Sequence, residues 1–223
     1  MIHELLRTLS STASELFDFP MKGHFPPRID LSLQNIRNTG DRPYEFEQLN
    51  AFVQARLLAT GSPVVWGGYL EQRLIYNSSP LFHQDRHART MHLGLDFWTQ
   101  ADSAVHAPIA GTVHSFQDNA AFRDYGPTII LRHETPGLVF HSLYGHLSRA
   151  SLEGLAPGMP VAQGQRIGWL GRADENGQWP PHLHFQLMRD LQGHSGDYPG
   201  VCALENLKQF KANCPDPRLL LGI

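Results

Sequence analysis

The sequence predicts a mainly β fold with a helical extension at its N-terminus and one short helix near its C-terminus. Three observations carry this. The 223 residues include 20 Gly and 16 Pro, the residues that punctuate strands with turns. From residue 64 onward, short β-rich runs alternate with those breaks. Helical periodicity is confined to the first sixty residues and to one stretch near the end. With 41% hydrophobic and 17% charged residues, the chain can bury a sizeable core and is not disordered by composition.

In chain order, Ile2, Leu5, Leu6, Leu9, Ala13, Leu16 and Phe17 fall on one helical face and predict an amphipathic helix over 2–17. Glu4, Arg7, Ser10, Ser11 and Glu15 interrupt the unbroken apolar run of about 7–15 residues that a secretion signal needs. No run approaches the roughly 18 residues of a membrane-spanning helix. The expected location is therefore the cytoplasm, with no membrane partner. Pro20, Pro26, Pro27, Asn38, Gly40 and Pro43 make 18–43 an irregular connection. A helix over 44–59 follows, with Phe46, Leu49, Phe52, Val53, Leu57 and Leu58 as its apolar side and Gly61 and Pro63 as stop signals. Residues 1–63 are thus expected to form a helical extension packed on a β domain over 64–223. Strands are expected at 74–76, 91–98, 111–116, 128–133, 138–144, 166–170 and 182–188. Thr135-Pro136-Gly137 reads as a hairpin loop. A last helix is expected near 204–212.

Charge and cysteine content exclude several classes. Lys and Arg number 18 against 21 Asp and Glu, a net charge of -3, which argues against a nucleic-acid binder. Cys202 and Cys214 are too few for a disulfide scaffold, and neither lies near the histidine-rich segments, which excludes a four-thiolate zinc site.

The chemistry concentrates in three segments. In Met91-His92-Leu93-Gly94-Leu95-Asp96-Phe97-Trp98, read as one strand, His92, Gly94 and Asp96 share a face while Leu93, Leu95 and Phe97 take the other. In Pro180-Pro181-His182-Leu183-His184-Phe185-Gln186-Leu187, His182 and His184 point one way and Leu183, Phe185 and Leu187 the other. Two imidazoles two residues apart on a strand suit a first-row metal or a ligand–base pair. Together His92, Asp96, His182 and His184 supply the N and O donors of a catalytic zinc site, which uses three protein ligands and one open position. In Phe140-His141-Ser142-Leu143-Tyr144-Gly145-His146, His141 and His146 have opposite parity on an unbroken strand, so at most one faces the site.

Taken in order, His92-x-x-x-Asp96, Tyr144-x-His146-Leu147 and His182-x-His184-Phe185 resemble the lysostaphin-type zinc metallopeptidases, which include the LytM and β-lytic endopeptidases. Val105-His106-Ala107-Pro108, Tyr125-Gly126-Pro127 and Gly164-Gln165-Arg166-Ile167-Gly168 agree, so the resemblance covers about residues 90–190. It implies a compact antiparallel core of β-sandwich or barrel-sandwich-hybrid type, with the site in a groove. It implies one zinc ion per chain on His92, Asp96 and His184, with His146 and His182 as catalytic imidazoles that do not bind the metal. The pattern departs at Trp179-Pro180-Pro181, where relatives carry Gly or a small polar residue, and in the loop 171–179. The segments around His184 and Cys214 are also similar to a peptidase-like part of large fused proteins, which moves the expectation away from a cell-wall substrate.

The resulting expectation is an endopeptidase or amidase acting on a peptide or amide, peptidoglycan-derived peptides included. His182 is expected as general base and His146 as stabiliser of the developing oxyanion, the two roles being exchangeable. Tyr144 is a candidate for a hydrogen bond to substrate, Arg86 and Arg89 for a substrate carboxylate, and Asn77 for a contact over the groove. The competing readings are a binding module on the same fold and a histidine phosphocarrier, which the Asp96 carboxylate beside His92 disfavours.

Overall fold

A computed structural model describes residues 2–22, 26–39, 45–78, 80–83 and 88–223. Three helices come first: α1 (Ile2–Ser10), α2 (Leu33–Thr39) and α3 (Phe46–Thr60). The strands are β1 (Val65–Gly67), β2 (Arg89–His92), β3 (Leu95–Trp98), β4 (Ala104–His106), β5 (Gly111–Asn119) and β6 (Gly126–Thr135). They continue as β7 (Leu138–Gly145), β8 (Pro160–Val161), β9 (Arg166–Trp169), β10 (His182–Met188) and β11 (Val201–Ala203). Helices α4 (Leu207–Asn213) and α5 (Arg218–Leu221) close the chain. Among the described residues, no helix is long and apolar enough to cross a membrane.

Seven strands form one antiparallel sheet in the order β1-β3-β10-β7-β6-β5-β8, and β11-β2 and β4-β9 form two small sheets. The mainly β expectation is met by this arrangement. The β6–β7 hairpin turns on Pro136-Gly137, with Thr135 opposite Leu138 and Gly137 at φ 80, a left-handed geometry that glycine adopts without steric cost.

Alternation sorts the large sheet into two faces. Leu95 and Phe97 of β3, Ile129 and Leu131 of β6, Tyr144 of β7 and Leu183, Phe185 and Leu187 of β10 enter one core with Leu6, Leu16 and Phe17. On the other face, Leu143 packs with Met91, Leu93 and Tyr125, while Trp98 packs with Leu31, Leu49 and Tyr76. The functional side chains described below stand between these two smaller clusters. The N-terminal segment therefore contributes to the cores on both faces.

Five elements differ from expectation. The stretch 18–43, expected as an irregular connection, contains α2, whose first turn is capped by Ser32 Oγ accepting from Asn35 N. The first helix ends at Ser10, because the hydroxyls of Ser10, Ser11 and Thr12 donate to the carbonyls of Arg7, Thr8 and Leu9 and compete with the helical ladder. Leu16 and Phe17 are buried all the same, from non-helical backbone. The strand expected at 74–76 is a 3-10 turn, Ile75–Ser78, in which Ile75 and Tyr76 are both buried. The strand expected at 91–98 breaks at Leu93 and Gly94 into β2 and β3, which belong to different sheets. The last helix is a 3-10 turn, Leu204–Asn206, running into α4. Cys202 and Cys214 are buried free thiols.

One buried histidine gives the fold a pH dependence. His133 Nδ1–H donates to Ala110 O at 2.8 Å, and Ser142 Oγ lies 2.7 Å from Nε2. Burial pushes its pKa down to about 4, below the ordinary value of about 6.5. Between those values the unfolded chain binds a proton that the folded chain refuses. The stabilisation is complete above about pH 6.5 and is lost as pH falls toward 4, a change of about 3 kcal/mol. Denaturant midpoints measured from pH 7 to 4 should fall steeply, and His133→Gln should flatten that fall. An equal slope in both proteins contradicts this assignment.

Candidate metal centre

The site is assembled around β10. Its alternation is unbroken, so His182, His184 and Gln186 share a face while Leu183, Phe185 and Leu187 enter the core. Antiparallel register sets Asp96 of β3 directly opposite His184, and Trp98 opposite His182. His92 arrives from the other sheet, at the end of β2. Gly94, in the break between β2 and β3, permits the approach: a Cβ there would lie 2.8 Å from His184 Nε2 and 2.7 Å from Phe185 O.

Three donor atoms converge. His92 Nε2 and Asp96 Oδ1 are 3.2 Å apart, His184 Nδ1 and Asp96 Oδ1 3.0 Å, and His92 Nε2 and His184 Nδ1 3.0 Å. The remaining ring nitrogens fix the tautomers. His92 Nδ1–H donates to Gly68 O at 2.8 Å, and His184 Nε2–H donates to Gln186 Oε1 at 3.0 Å. The two nitrogens facing Asp96 are therefore lone pairs, and three acceptors meet with no proton among them. A tetrahedral zinc with ligand distances near 2.0–2.1 Å would separate its donors by about 3.3 Å. The triangle fits such an ion, and His92, Asp96 and His184 are the residues that could hold it.

A buried charge network supports the carboxylate. Asp96 Oδ2 accepts from Arg73 Nη1 at 2.5 Å, and Arg73 Nε donates to Glu71 Oε1 at 2.7 Å, all three side chains being buried. Burial alone would raise the Asp96 pKa, but the Arg73 guanidinium beside it holds it well below the usual range. Asp96 stays ionised and acceptor-only, as a ligand must be.

Two further imidazoles flank the triangle. His182 Nδ1–H donates to Pro180 O at 2.8 Å, leaving Nε2 free 3.9 Å from Asp96 Oδ1. Its ring stacks on Trp98 at 5.6 Å. His146 Nδ1–H donates to Asn176 O at 2.9 Å, and its ring lies 4.1 Å from that of His182. Burial lowers both pKa values, to about 4 for His182 and well below the ordinary value for His146. His146 reaches the site by leaving its strand. The strand β7 ends at Gly145, and His146 sits at φ 63 with its N–H bonded to Tyr125 O. His141, at the far end of the β7–β10 pairing, lies against His114.

The loop 171–179 is built around Asn176, which is fully buried. Its Nδ2 donates to Gly171 O and Trp179 O, and its Oδ1 accepts from Trp179 N. The same residue's carbonyl orients His146, so the atypical loop positions an imidazole of the site.

Other candidates divide. Tyr144 is not brought to the site: it points into the main core, its hydroxyl bonded to Ser142 and its ring packed on Phe185. The parity that linked it to His146 fails because His146 lies beyond the strand. Arg89 lines the cleft, donates to Leu81 O and covers the Phe82 ring at 5.3 Å. Arg86 lies outside the described residues, as does the side chain of Asn77. Sequence reasoning missed Arg73 and Glu71, Tyr125, whose hydroxyl is 3.4 Å from His184 Nε2, and Gln186. Gln186 shares the β10 alternation with both histidines and was legible by that signal. The others lie on segments without periodicity.

The triangle opens onto a cleft whose walls include Tyr76, Trp98 and Trp179. Leu31 and Leu49 of the N-terminal segment line it too. Fold and site together define a mainly β protein with a buried His-Asp-His group that could hold a metal ion. Residues 90–197, a little under half of the chain, match the family model of peptidase family M23. No protein of curated function is significantly similar to the chain.

Among solved structures, the chain is similar to the catalytic domain of lysostaphin from Staphylococcus simulans, at 28% identity over 55% of this chain and 80% of that one, with a TM-score of 0.38. It is also similar to the catalytic domain of a variant of the prophage-encoded M23 protein EnpA from Enterococcus faecalis. That likeness is at 22% identity over 62% of this chain and 91% of that one, with a TM-score of 0.42. A zinc-containing peptidase from Vibrio cholerae is similar at 26% identity, over 44% of this chain, with a TM-score of 0.36. The match spans only 27% of that protein's length.

Proposed function

We propose that the chain is a zinc-dependent peptidase or amidase acting on short peptides or small amides. One observation carries the reading. His92 Nε2, Asp96 Oδ1 and His184 Nδ1 form a buried triangle of unprotonated donors, each fixed by a hydrogen bond or ion pair made elsewhere on its side chain. That set would hold one zinc ion, leaving a fourth position open. Bound there, zinc supplies Lewis acidity toward a carbonyl and makes a water acidic enough to attack near neutral pH.

The chain's own residues then handle protons. His182 Nε2 is an unprotonated base beside the triangle, and its Nδ1–H on Pro180 O holds the ring in that tautomer. It takes the proton of the attacking water. His146 spends its Nδ1–H on Asn176, so it donates toward a developing oxyanion only when protonated at Nε2. With the rings 4.1 Å apart, two positive charges oppose each other, so the pair, neutral at the start, carries only the proton that His182 takes from the water and shares it with His146 Nε2. That proton passes to the departing amine.

The cleft supports the substrate size. Leu31 and Leu49 bring the N-terminal segment against the site, beside Tyr76 and Trp179, which suits a small ligand better than a polymer strand. Zinc-loaded protein incubated with oligoglycines, purified peptidoglycan and a soluble extract, read by mass spectrometry, tests the reading. Hydrolysis of short soluble peptides or amides is expected. Cleavage of peptidoglycan with an untouched soluble pool contradicts the substrate class, and turnover of nothing contradicts the hydrolase.

A further inference from the structure

The cleft contains a buried cation that the proposed chemistry does not use. Arg123 is 3% exposed and lines the cleft. Its guanidinium lies 4.3 Å from the centroid of the Trp179 ring and 5.3 Å from that of Phe122. Its Nε and Nη1 have no hydrogen-bond partner. Taking such an ion out of water costs several kcal/mol unless it is paired. Stacking on aromatic faces returns only part of that.

The backbone also holds this side chain in place at a cost. Arg123 sits at φ 65, an uncommon conformation for a residue with a Cβ, and its N–H donates to Gly177 O at 2.9 Å. Gly177 belongs to the same loop that orients His146. Trp179, on which the guanidinium rests, lies 6.3 Å from the rings of both His146 and His182. One aromatic ring thus separates this cation, which feels the Glu45 charge but has no hydrogen-bond partner at Nε or Nη1, from the two imidazoles. The interval is at most about three residues of extended peptide.

The remaining charges of the cleft select among anions. Asp124 and Asp197 line it as well. Burial and the nearby Asp197 charge raise the Asp124 pKa to about 6. A phosphate dianion would meet this pair, whereas a peptide with free ends offers an ammonium group to it. A carboxylate matches the fork of donors on a guanidinium.

We propose that Arg123 binds the C-terminal carboxylate of a short peptide, so that the chain cleaves close to a free C-terminus. The proposal rests on the peptidase reading of the site and names its substrate class. The test uses the zinc-loaded full chain and two matched tripeptide pools, one with free C-termini and one amidated. Turnover is followed by mass spectrometry and binding by calorimetry. Wild type should prefer the free-acid pool by about 10–100-fold, the worth of a hydrogen-bonded charge contact. Arg123→Met should remove the preference by slowing turnover of the acids, and Arg123→Lys should restore part of it. Equal use of both pools by wild type overturns the proposal while leaving the hydrolase intact. Acid-selective binding without turnover supports the Arg123 assignment and contradicts the hydrolase. Binding and turnover of neither pool overturn it, as does a preference that survives in Arg123→Met.

Discussion

His92→Ala and His184→Ala are expected to lose stoichiometric zinc and all peptidase turnover while the seven-stranded sheet stays folded. Each variant removes one donor of a three-atom triangle, and two donors leave too few contacts for a catalytic zinc. Folding should survive because the β10 core face, Leu183, Phe185 and Leu187, is untouched. Asp96→Ala should lose zinc as well, with an added penalty. It leaves Arg73 buried beside Glu71 without its second carboxylate, and breaking a buried pair costs about 3–5 kcal/mol. Elemental analysis together with circular dichroism separates the two effects. Full zinc retention in all three variants contradicts the ligand set.

His146→Ala and His182→Ala are expected to keep zinc and to lose turnover by about 10²–10⁴-fold, the usual worth of a positioned acid or base. Both side chains approach the triangle without closing it: His182 Nε2 lies 3.9 Å from Asp96 Oδ1, and His146 reaches the centre through its contact with the His182 ring. The double variant should lose little more than the worse single one, since the rings share one proton and act as a unit. Zinc content and steady-state rates on one cleaved peptide check this. Unchanged rates in both single variants contradict the roles.

The legible parts of the molecule were those where period and surroundings agree. The segment 182–188 alternates cleanly between core and site, and the strand β10 has those bounds. The β6–β7 hairpin announced itself through Pro136-Gly137. The segment 91–98 alternates equally well on paper, yet every residue in it is buried, so neither face points to solvent and alternation could not reveal the break. His92 and Asp96 still meet, four residues apart, where the chain passes from one sheet to the other at Gly94, and His184 joins them only through the long-range pairing of β10 with β3. Arg73, Tyr125 and Arg123 were illegible for a related reason. They sit on irregular backbone, where no spacing links them to the histidines, and only packing brings them to the cleft. The same holds for Leu31 and Leu49, whose place in its wall is fixed by contacts with Trp98 and Tyr76 far along the chain.

His92, Asp96 and His184 are expected to hold one zinc ion. X-ray absorption at the zinc edge of the purified wild-type chain tests it most directly. One zinc per chain is expected, with two imidazole nitrogens and carboxylate or water oxygens at about 2.0–2.1 Å and no sulfur. A zinc–sulfur distance near 2.3 Å, or a first shell without imidazole, would contradict it.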